Sequence, residues 1–249
     1  MIERDQELGD TGLEVLDAAT DADFQARKLH ARDAIVQLQA VRRLARAFVD
    51  NPDNILHELV TVAVDLCGAD SSAVSIIREE PTDQHYYEWI ASTGVYAGFL
   101  NAMLPKYPSA CGLCLERGKP QVFKVYPRFF DILGVEAPPV TDGLLIPWHV
   151  EDTHGTIFIL AHERKEAFDA DDCRMMEMLA DFAAMGMRQL KQRDRLLRQA
   201  NAAAVATMAN ELAHEINNPC RVSPIFSSWR RPTASPRMRG NWRPHFKMM

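Results

Sequence analysis

The 249-residue sequence lacks the features that would place it in a membrane or carry it out of the cell. No apolar run approaches the roughly 20 residues that a transmembrane helix needs. The start of the chain has the wrong charge for a secretory or mitochondrial leader, since residues 1–24 hold eight acidic side chains and a single arginine. We therefore expect a cytoplasmic protein with no membrane partner.

Several kinds of functional site are also missing from the sequence. It contains no glycine-rich phosphate loop and no Ser–His–Asp order typical of hydrolases. Basic residues before position 220 are interspersed with acidic ones, so we expect no nucleic-acid partner. The five cysteines have irregular spacing, which argues against a disulfide framework. Cys111 and Cys114 are either a redox pair or small half-buried residues on a short helix, and without a second pair we assign no metal.

The residues that are present predict one globular domain with helical extensions. Hydrophobic residues make up 47% of the chain, which is enough for a core. Periodicity predicts helices over residues 25–50 and 51–67, and a long helix that begins at Asp169. Between them, β-branched and aromatic runs predict strands, including a hairpin with Glu151 and Asp152 at its turn. This order predicts an α+β fold, an antiparallel sheet with flanking helices followed by a long helix.

Six short motifs follow one another along the middle of the chain: Ser109-Ala-Cys111-Gly112, Gly118-Lys-Pro-Gln-Val-Phe123, Pro138-Pro139, Gly143-Leu-Leu-Ile-Pro147, Gly155-Thr156 and Phe168-Asp169-Ala-Asp171-Asp172. Their order and spacing resemble a GAF domain, a small-molecule sensor module. The resemblance implies a GAF-like antiparallel sheet over residues 51–190, a small-molecule ligand, and pairing of two copies into a homodimer. It identifies neither the ligand nor any ligand-binding residue.

Aromatic residues in the same stretch either line a ligand cavity or pack in the core. They are Tyr86, Tyr87, Trp89, Phe99, Phe129, Phe130 and Trp148. The terminal helices carry narrow apolar stripes that suit pairing with another helix. One stripe has heptad spacing through positions 187, 190, 194, 197, 201, 204 and 208. The alternative for this stripe is a single amphipathic helix packed on its own domain.

A polar motif lies near the end of the long helix, and it runs Ala-His214-Glu215-Ile-Asn-Asn218-Pro219. His214 and Asn218 are four apart and share a helix face, while Pro219 bends or ends the helix. A neutral imidazole is a good nucleophile, and Glu215 can fix its tautomer. The motif resembles the phosphoacceptor box of the two-component sensor histidine kinases.

This second resemblance implies that His214 is the phosphoacceptor, with Glu215 and Asn218 as catalytic helpers. The complete kinases of this family use ATP and Mg²⁺ and pass the phosphoryl group to a response regulator. No ATP-binding domain follows the motif in this sequence. We therefore expect no cofactor in this chain and no kinase activity from it alone. Two alternatives remain: a non-catalytic GAF module for ligand binding and dimerisation, and a small redox enzyme that uses its cysteines.

The two ends of the chain differ in composition from the middle. Residues 1–24 are acidic and without periodicity, so we predict disorder there. Residues 191–219 are predicted as a coiled-coil linker and the start of the phosphoacceptor helix. Residues 220–249 hold seven Lys or Arg, four Pro and no acidic residue, which predicts a disordered, non-native tail. A basic arm for nucleic acid or anionic lipid is the alternative for this tail.

Overall fold

The computed structural model describes residues 11–31, 33–79 and 85–217, without the side chains of residues 79, 85 and 215–217. The strands in this part are β1 Leu13–Asp17, β2 Ser71–Glu79, β3 His85–Gly94, β4 Met103–Pro105, β5 Gln121–Val125, β6 Val140–Val150 and β7 Thr153–Ala161. They form one sheet in the order β1-β5-β6-β7-β2-β3-β4, with every neighbouring pair antiparallel.

Helices flank this sheet. They are α1 Ala22–Gln25, α2 Ala34–Asp50, α3 Ile55–Cys67, α4 Ala110–Arg117, α5 Pro127–Leu133 and α6 Ala170–Asn217, with 3-10 turns at Pro52–Asn54 and Ala97–Phe99. The predicted fold class is therefore confirmed, as a GAF-like antiparallel sheet with flanking helices and a long C-terminal helix. No helix of the described residues is both long enough and apolar enough to span a bilayer.

Each face of the sheet carries its own apolar cluster. On one face, Ile157 and Ile159 of β7 pack with residues of α2, α3 and α6. On the other face, Phe158 and Leu160 of the same strand pack with residues of α4 and α5. Successive side chains of a strand point to opposite faces, so a single strand contributes to both clusters. We call the second of these the aromatic cluster, because its largest members are aromatic rings.

The N-terminal segment corrects the prediction of disorder over residues 1–24. From residue 11 onward the segment is ordered, since β1 pairs with β5 and both Leu13 and Phe24 are buried. The acidic composition of this segment favoured a prediction of disorder. In the fold, however, Glu14 pairs with Lys124 on the neighbouring strand at 2.8 Å. An edge strand needs apolar residues only at alternate positions, so a few of them are enough to fix it. Residues 1–10 lie outside the described part.

The first long helix begins at Ala34 and not at residue 25 as predicted. Its N-cap is Asp33, whose side chain accepts a hydrogen bond from the backbone N–H of Ile35 at 2.8 Å. The chain before it leaves the helical path because Arg27 is bound elsewhere, to the Asp142 carboxylate of β6 at 2.7 Å. The predicted end of the helix at Asp50 is confirmed.

The long helix α6 begins where the sequence predicts, directly after Asp169. The Asp169 carboxylate accepts hydrogen bonds from the backbone N–H groups of Asp171 at 2.7 Å and Asp172 at 3.1 Å. Early residues such as Met176 and Leu179 are fully buried, whereas every side chain from residue 192 to residue 214 is exposed. The chain divides into two compact units, residues 1–197 and 198–249. The predicted tail, 220–249, lies outside the described residues.

Candidate ligand cavity

An apolar cavity of about 80 Å³ lies within the aromatic cluster. None of the side chains that line it is charged. Seven aromatic rings contribute to the wall: Trp89, Tyr96, Phe99, Phe123, Phe129, Phe130 and Phe158. Several of these rings meet edge to face, as Trp89 and Phe158 do with centroids 5.0 Å apart, which is a favoured geometry for aromatic pairs. The cavity is a preformed apolar space, smaller than the roughly 300–1,000 Å³ of ordinary small-molecule pockets.

The sequence analysis names some of the residues that line the cavity but not others. Trp89, Phe99, Phe129 and Phe130 line the cavity. Trp148, by contrast, packs in the opposite cluster with α2, α3 and α6. The wall residues that the sequence had not singled out include Tyr96, Leu145, Phe158 and Leu160. Phe158 and Leu160 are two apart on a predicted strand, so period-2 alternation placed them on one face but could not say which face holds a cavity.

Helix α4 closes one side of the cavity, and its first turn is held by an N-cap and by close packing on the chain before it. Its N-cap, Ser109, accepts a hydrogen bond from the N–H of Gly112 at 3.3 Å. A side chain at Gly112 would collide with the carbonyl oxygen of Lys106, so glycine lets the chain before α4 lie directly against the helix. The predicted start at Ser109 and end at Gly118 are both confirmed. This placement brings Cys111 into the cavity wall.

The Cys111 thiol is surrounded by hydroxyl groups. Thr156 Oγ1 lies 3.3 Å from Sγ, Ser75 Oγ lies 3.7 Å from it, and the two hydroxyls are 2.7 Å apart. Burial raises the pKa of the Cys111 thiol and raises that of Cys114 well above its ordinary value. Both thiols are therefore protonated at neutral pH, which disfavours nucleophilic or exchange chemistry. The burial of Cys111 and Cys114 therefore favours the alternative that they are packing residues over the alternative that they are a redox pair.

Tyr96 and His162 hold the segment between α5 and β6 against the cavity. Their rings pack at a tilt, with centroids 4.6 Å apart and planes at 49°, and the Tyr96 hydroxyl donates to the carbonyl oxygen of Pro138. His162 Nδ1 lies 2.9 Å from the carbonyl oxygen of Pro139, and Nε2 lies 3.0 Å from Ser71 Oγ. A carbonyl oxygen only accepts, so Nδ1 carries a hydrogen. The segment that these two bonds hold includes Val135, a wall residue.

A second cluster with metal-ligand chemistry consists of His30, Asp169 and Asp172, whose ligand atoms lie within 4.8 Å of one another. Asp169 accepts hydrogen bonds from the His30 backbone N–H at 2.6 Å and approaches His30 Nδ1 at 2.8 Å. Burial acts to raise the pKa of Asp169, but hydrogen bonds from the N–H groups of His30, Asp172 and Asp171 outweigh it and lower the pKa. The carboxylate is thus already satisfied at the positive end of α6, which disfavours a cation.

The predicted phosphoacceptor site is only partly described. His214 lies in the last turn of α6 with its side chain exposed. The side chain of Glu215 and the whole of Asn218 lie outside the described residues.

Comparison with known proteins supports the family assignment. The GAF domain family model matches residues 51–187, more than half of the chain. The GAF domain from a phosphoenolpyruvate-protein phosphotransferase of Coxiella burnetii is similar, with 19% identity and a TM-score of 0.50 over 66% of this chain and 99% of that one. The chromophore-binding domain of an unusual bacteriophytochrome from R. palustris has 11% identity and a TM-score of 0.52 over 68% of this chain and 65% of that one.

Identities this low show the fold alone. No curated protein matches the sequence. The family model covers the sheet from its second strand onward, the helices that close the cavity and the first turns of α6. The chain therefore belongs to the GAF domain family, a family of sensory and ligand-binding modules.

Proposed function

We propose that this chain is the signal-sensing portion of a two-component sensor histidine kinase, in which a ligand in the cavity controls phosphotransfer at His214. The observation that carries the proposal is the uninterrupted course of α6. Its first turns lie in the core of the GAF domain, and the same helix continues to Asn217 and includes His214. One helix thus joins a ligand-binding domain to a histidine that can accept a phosphoryl group.

A route from the cavity to α6 passes through β7. Phe158 and Leu160 line the cavity, and the residues between and beside them, Ile157 and Ile159, belong to the cluster that contains Met176 of α6. A ligand that displaces the wall therefore acts on a strand whose opposite face belongs to the same apolar cluster as the first turns of α6. Packed cores change between discrete arrangements more readily than they deform continuously, so a small displacement can shift the helix.

The exposed part of α6 supports the proposed homodimer. Between residues 192 and 214 the helix has no buried side chain, although several of its residues are large and apolar. These are Leu196, Leu197, Val205, Met208 and Leu212, each more than half exposed. Most helical stability in proteins comes from packing of an apolar face, so a helix this bare needs a partner. A second copy of this chain provides an identical face, as in a parallel coiled coil.

The remaining parts of the proposal concern molecules outside this chain. ATP and Mg²⁺ would be bound by a kinase catalytic domain, and a response regulator would take the phosphoryl group from His214. Phosphoryl transfer depends on positioning and on neutralisation of charge, both of which the nucleotide-binding part supplies. Glu215 and Asn218 remain the proposed helpers, and the cytoplasmic location remains a sequence-based prediction.

Phosphotransfer in trans tests the proposal. The full chain is incubated with radiolabelled ATP, with and without the catalytic domain of a related histidine kinase. We expect no label with ATP alone, and an acid-labile, base-stable label when the catalytic domain is added. His214→Gln should abolish the label, whereas His154→Gln, a matched control at another exposed histidine, should retain it. Glu215→Ala should slow labelling about 10²–10⁴-fold, the usual contribution of a positioned acid–base group. Label that persists in His214→Gln would overturn the proposal.

A second candidate function is a non-catalytic module that binds a ligand and dimerises. It is favoured by the fact that the cavity and its supporting elements lie entirely within residues 1–197, and none of them requires His214. The two candidates differ in one result. A module of this second kind would bind a small molecule in the cavity, but His214 would stay unlabelled under every condition of the phosphotransfer experiment.

A further inference from the structure

A cleft of about 1120 Å³ lies on the side of the sheet that carries the aromatic cluster. Two residues of that cluster, Tyr87 and Leu113, line the cleft, but it shares no lining residue with the apolar cavity. Its other walls come from α4, the last residues of β2, the segment before α4, and the turn between β6 and β7. Ordinary small-molecule pockets have roughly 300–1,000 Å³, so this cleft has room for a whole small molecule.

Most charged side chains of the cleft already have partners. Arg78 forms an ion pair with Glu88 at 2.5 Å. Asp152 forms one with Lys191 of α6, also at 2.5 Å. Glu116 has an interaction of its own as well. None of these three lining residues is therefore a free charge.

Lys106 is the charged residue of the lining that has no such partner. Its side chain is exposed, and it takes part in no ion pair or side-chain hydrogen bond within the part of the chain that the structure describes. The unmatched charge of the cleft is thus positive, so it attracts anions and repels cations. On the hairpin side, His154 adds an exposed imidazole that can donate a hydrogen bond.

The Tyr87 hydroxyl provides a second donor within the cleft. Tyr87 is only 1% exposed, and its hydroxyl has no hydrogen-bond partner among the described residues. The hydroxyl lies 3.6 Å from the position that a Cβ of Gly112 would occupy, and Gly112 lines the cleft too. Glycine at this position therefore leaves the space beside the hydroxyl open. Burial raises the pKa of the Tyr87 phenol, so the hydroxyl keeps its proton and acts as a donor.

Lys106 and the Tyr87 hydroxyl meet at this glycine. The backbone carbonyl oxygen of Lys106 lies directly against Gly112, the residue that the hydroxyl also approaches. The flexible lysine side chain begins here, so its ammonium group can reach a ligand that the hydroxyl binds. In the same lining, Leu113 and Leu115 present apolar side chains. An anionic group and an apolar body therefore both have partners in the cleft.

We propose that the cleft binds a small organic anion, a carboxylate or a phosphate ester with an apolar body. Its charged group accepts a hydrogen bond from the Tyr87 hydroxyl and pairs with Lys106, and its body packs on Leu113 and Leu115. Tyr87 and Lys106 are then the residues that determine specificity. The site is separate from the apolar cavity, and its occupation does not depend on His214 or on the proposed kinase.

Four aromatic probes of similar size test the charge of the ligand: benzoate, phenyl phosphate, neutral benzamide and cationic benzylamine. Each is titrated into the full chain by calorimetry at mildly alkaline pH. We expect at least one of the two anions to bind, with an affinity that falls as salt is added. Benzamide should bind about tenfold more weakly, because hydrogen bonds to a charged acceptor are stronger than neutral ones, and benzylamine should not bind. No binding of either anion, or benzamide binding as tightly as the anions, would overturn the proposal.

Two substitutions locate the site. Tyr87→Phe removes only the hydroxyl and should weaken anion binding about 10–150-fold, the range for a hydrogen bond to a charged group. Lys106→Met removes the charge of an exposed residue. It should weaken anion binding about 2–5-fold and reduce the dependence of binding on salt.

Tyr86→Phe and Lys28→Met are the matched controls. Tyr86 is the neighbouring residue of β3 and points to the opposite face of the sheet, and Lys28 is an exposed lysine outside the cleft. Both variants should bind the anion like the wild type, and thermal unfolding should show that all four variants fold. Lys106→Met changes only the surface, so it tests the site even if Tyr87→Phe does not fold. Wild-type affinity in Lys106→Met and Tyr87→Phe, or equal losses in the controls, would place the anion elsewhere and overturn the proposal.

Discussion

At the scale of single residues, the charge pair between Arg27 and Asp142 links segments that are far apart in sequence. The guanidinium meets the carboxylate through two bonds, at 2.7 Å and 3.1 Å, and the two side chains are only 10% and 1% exposed. Arg27 also donates to the carbonyl oxygen of Phe168, and Asp142 accepts from the Phe168 N–H. The pair thus ties the segment after α1 to β6 and to the start of α6.

Asp142→Ala should destabilise the fold strongly, because it leaves a buried guanidinium without its partner. We expect the free energy of unfolding to fall by about 3–5 kcal/mol, measured by urea denaturation. Glu14→Ala is the control, since the Glu14–Lys124 pair is more than one third exposed on both sides and such pairs contribute about 0–1 kcal/mol. Equal losses in the two variants would show that the Arg27–Asp142 pair has no special role.

The half-buried thiol of Cys173 predicts loss of stability in alkali. Burial, assisted by the charge of Glu177, raises the pKa of Cys173 from the ordinary 9.0 of a thiol to about 12. Between these values the unfolded chain releases the proton and the folded chain keeps it, so the free energy of unfolding falls as pH rises. The contribution of Cys173 is fully present below its unfolded pKa and is lost as pH rises through the folded pKa.

Cys173→Ala tests this, because alanine has no proton to release. Urea midpoints of both proteins are compared between neutral pH and about pH 11. The wild type should lose stability more steeply than Cys173→Ala, by a slope that corresponds to about one proton per molecule. Parallel pH profiles would mean that the Cys173 thiol titrates normally in the folded protein.

At the scale of elements, the start of α6 depends on a reciprocal cap. Asp169 accepts from the N–H groups of Asp171 and Asp172, and the Asp172 carboxylate accepts from the N–H of Asp169 at 3.1 Å. Asp169 is fully buried and Asp172 almost so. The two carboxylates also lie at the helix end where the macrodipole is positive, so they are stabilised as anions. The cap therefore fixes the point at which α6 leaves the domain.

Asp169→Ala should lower the free energy of unfolding by about 2 kcal/mol, the upper end of the range for N-cap residues, because the freed N–H groups are buried. Asp171→Ala is the neighbouring control, since its side chain is 41% exposed and does not cap the helix. Thermal unfolding of the three proteins measures the difference. A loss in Asp171→Ala as large as that in Asp169→Ala would assign the effect to acidic charge in the first turn and not to the cap.

Elements with local signals were predictable from the sequence, and elements fixed by distant contacts were not. The hairpin of β6 and β7 and the helix α4 have their own turn residues, Glu151-Asp152, Ser109 and Gly118. Strand β1 depends on β5, which lies more than 100 residues away, and its own sequence is acidic and short. The start of α2 depends in the same way on Arg27, whose partner is on β6. The local propensity of a segment contains no information about partners that are distant in the sequence.

At the scale of the whole molecule, the candidate site was also only partly predictable. His214 was visible because a helical motif is local, and four wall residues were named because aromatic side chains are conspicuous. The cavity itself arises where β3, β6 and β7 meet α4 and α5, so its existence depends on how these elements converge. The Trp89 indole has no hydrogen-bond partner among the described residues, which follows from three-dimensional packing that no sequence pattern records.

The last property of the whole molecule is its oligomeric state. Exposed apolar side chains occur on α2, with Leu38 at 71%, and on α6, with Leu197 at 54%. Leu190, another position of the predicted heptad stripe, is partly buried against its own domain core. A charge at Leu190 would therefore disturb the fold itself, whereas charges at Leu38 and Leu197 disturb only a surface. These two positions are the better probes of pairing between chains.

The wild type should sediment as a dimer at micromolar concentration, and Leu38→Asp combined with Leu197→Asp should sediment as a monomer. Burying each leucine in an interface contributes about 1.5–3 kcal/mol, and an aspartate there replaces that gain with a cost of desolvation. Val95→Asp is the control, because Val95 is 55% exposed but lies in the turn after β3, away from both helices in sequence. It should remain dimeric, and circular dichroism should show that all three proteins fold. A monomeric wild type would show that the α6 helices do not pair. The proposed sensor would then lack the arrangement that presents two copies of His214.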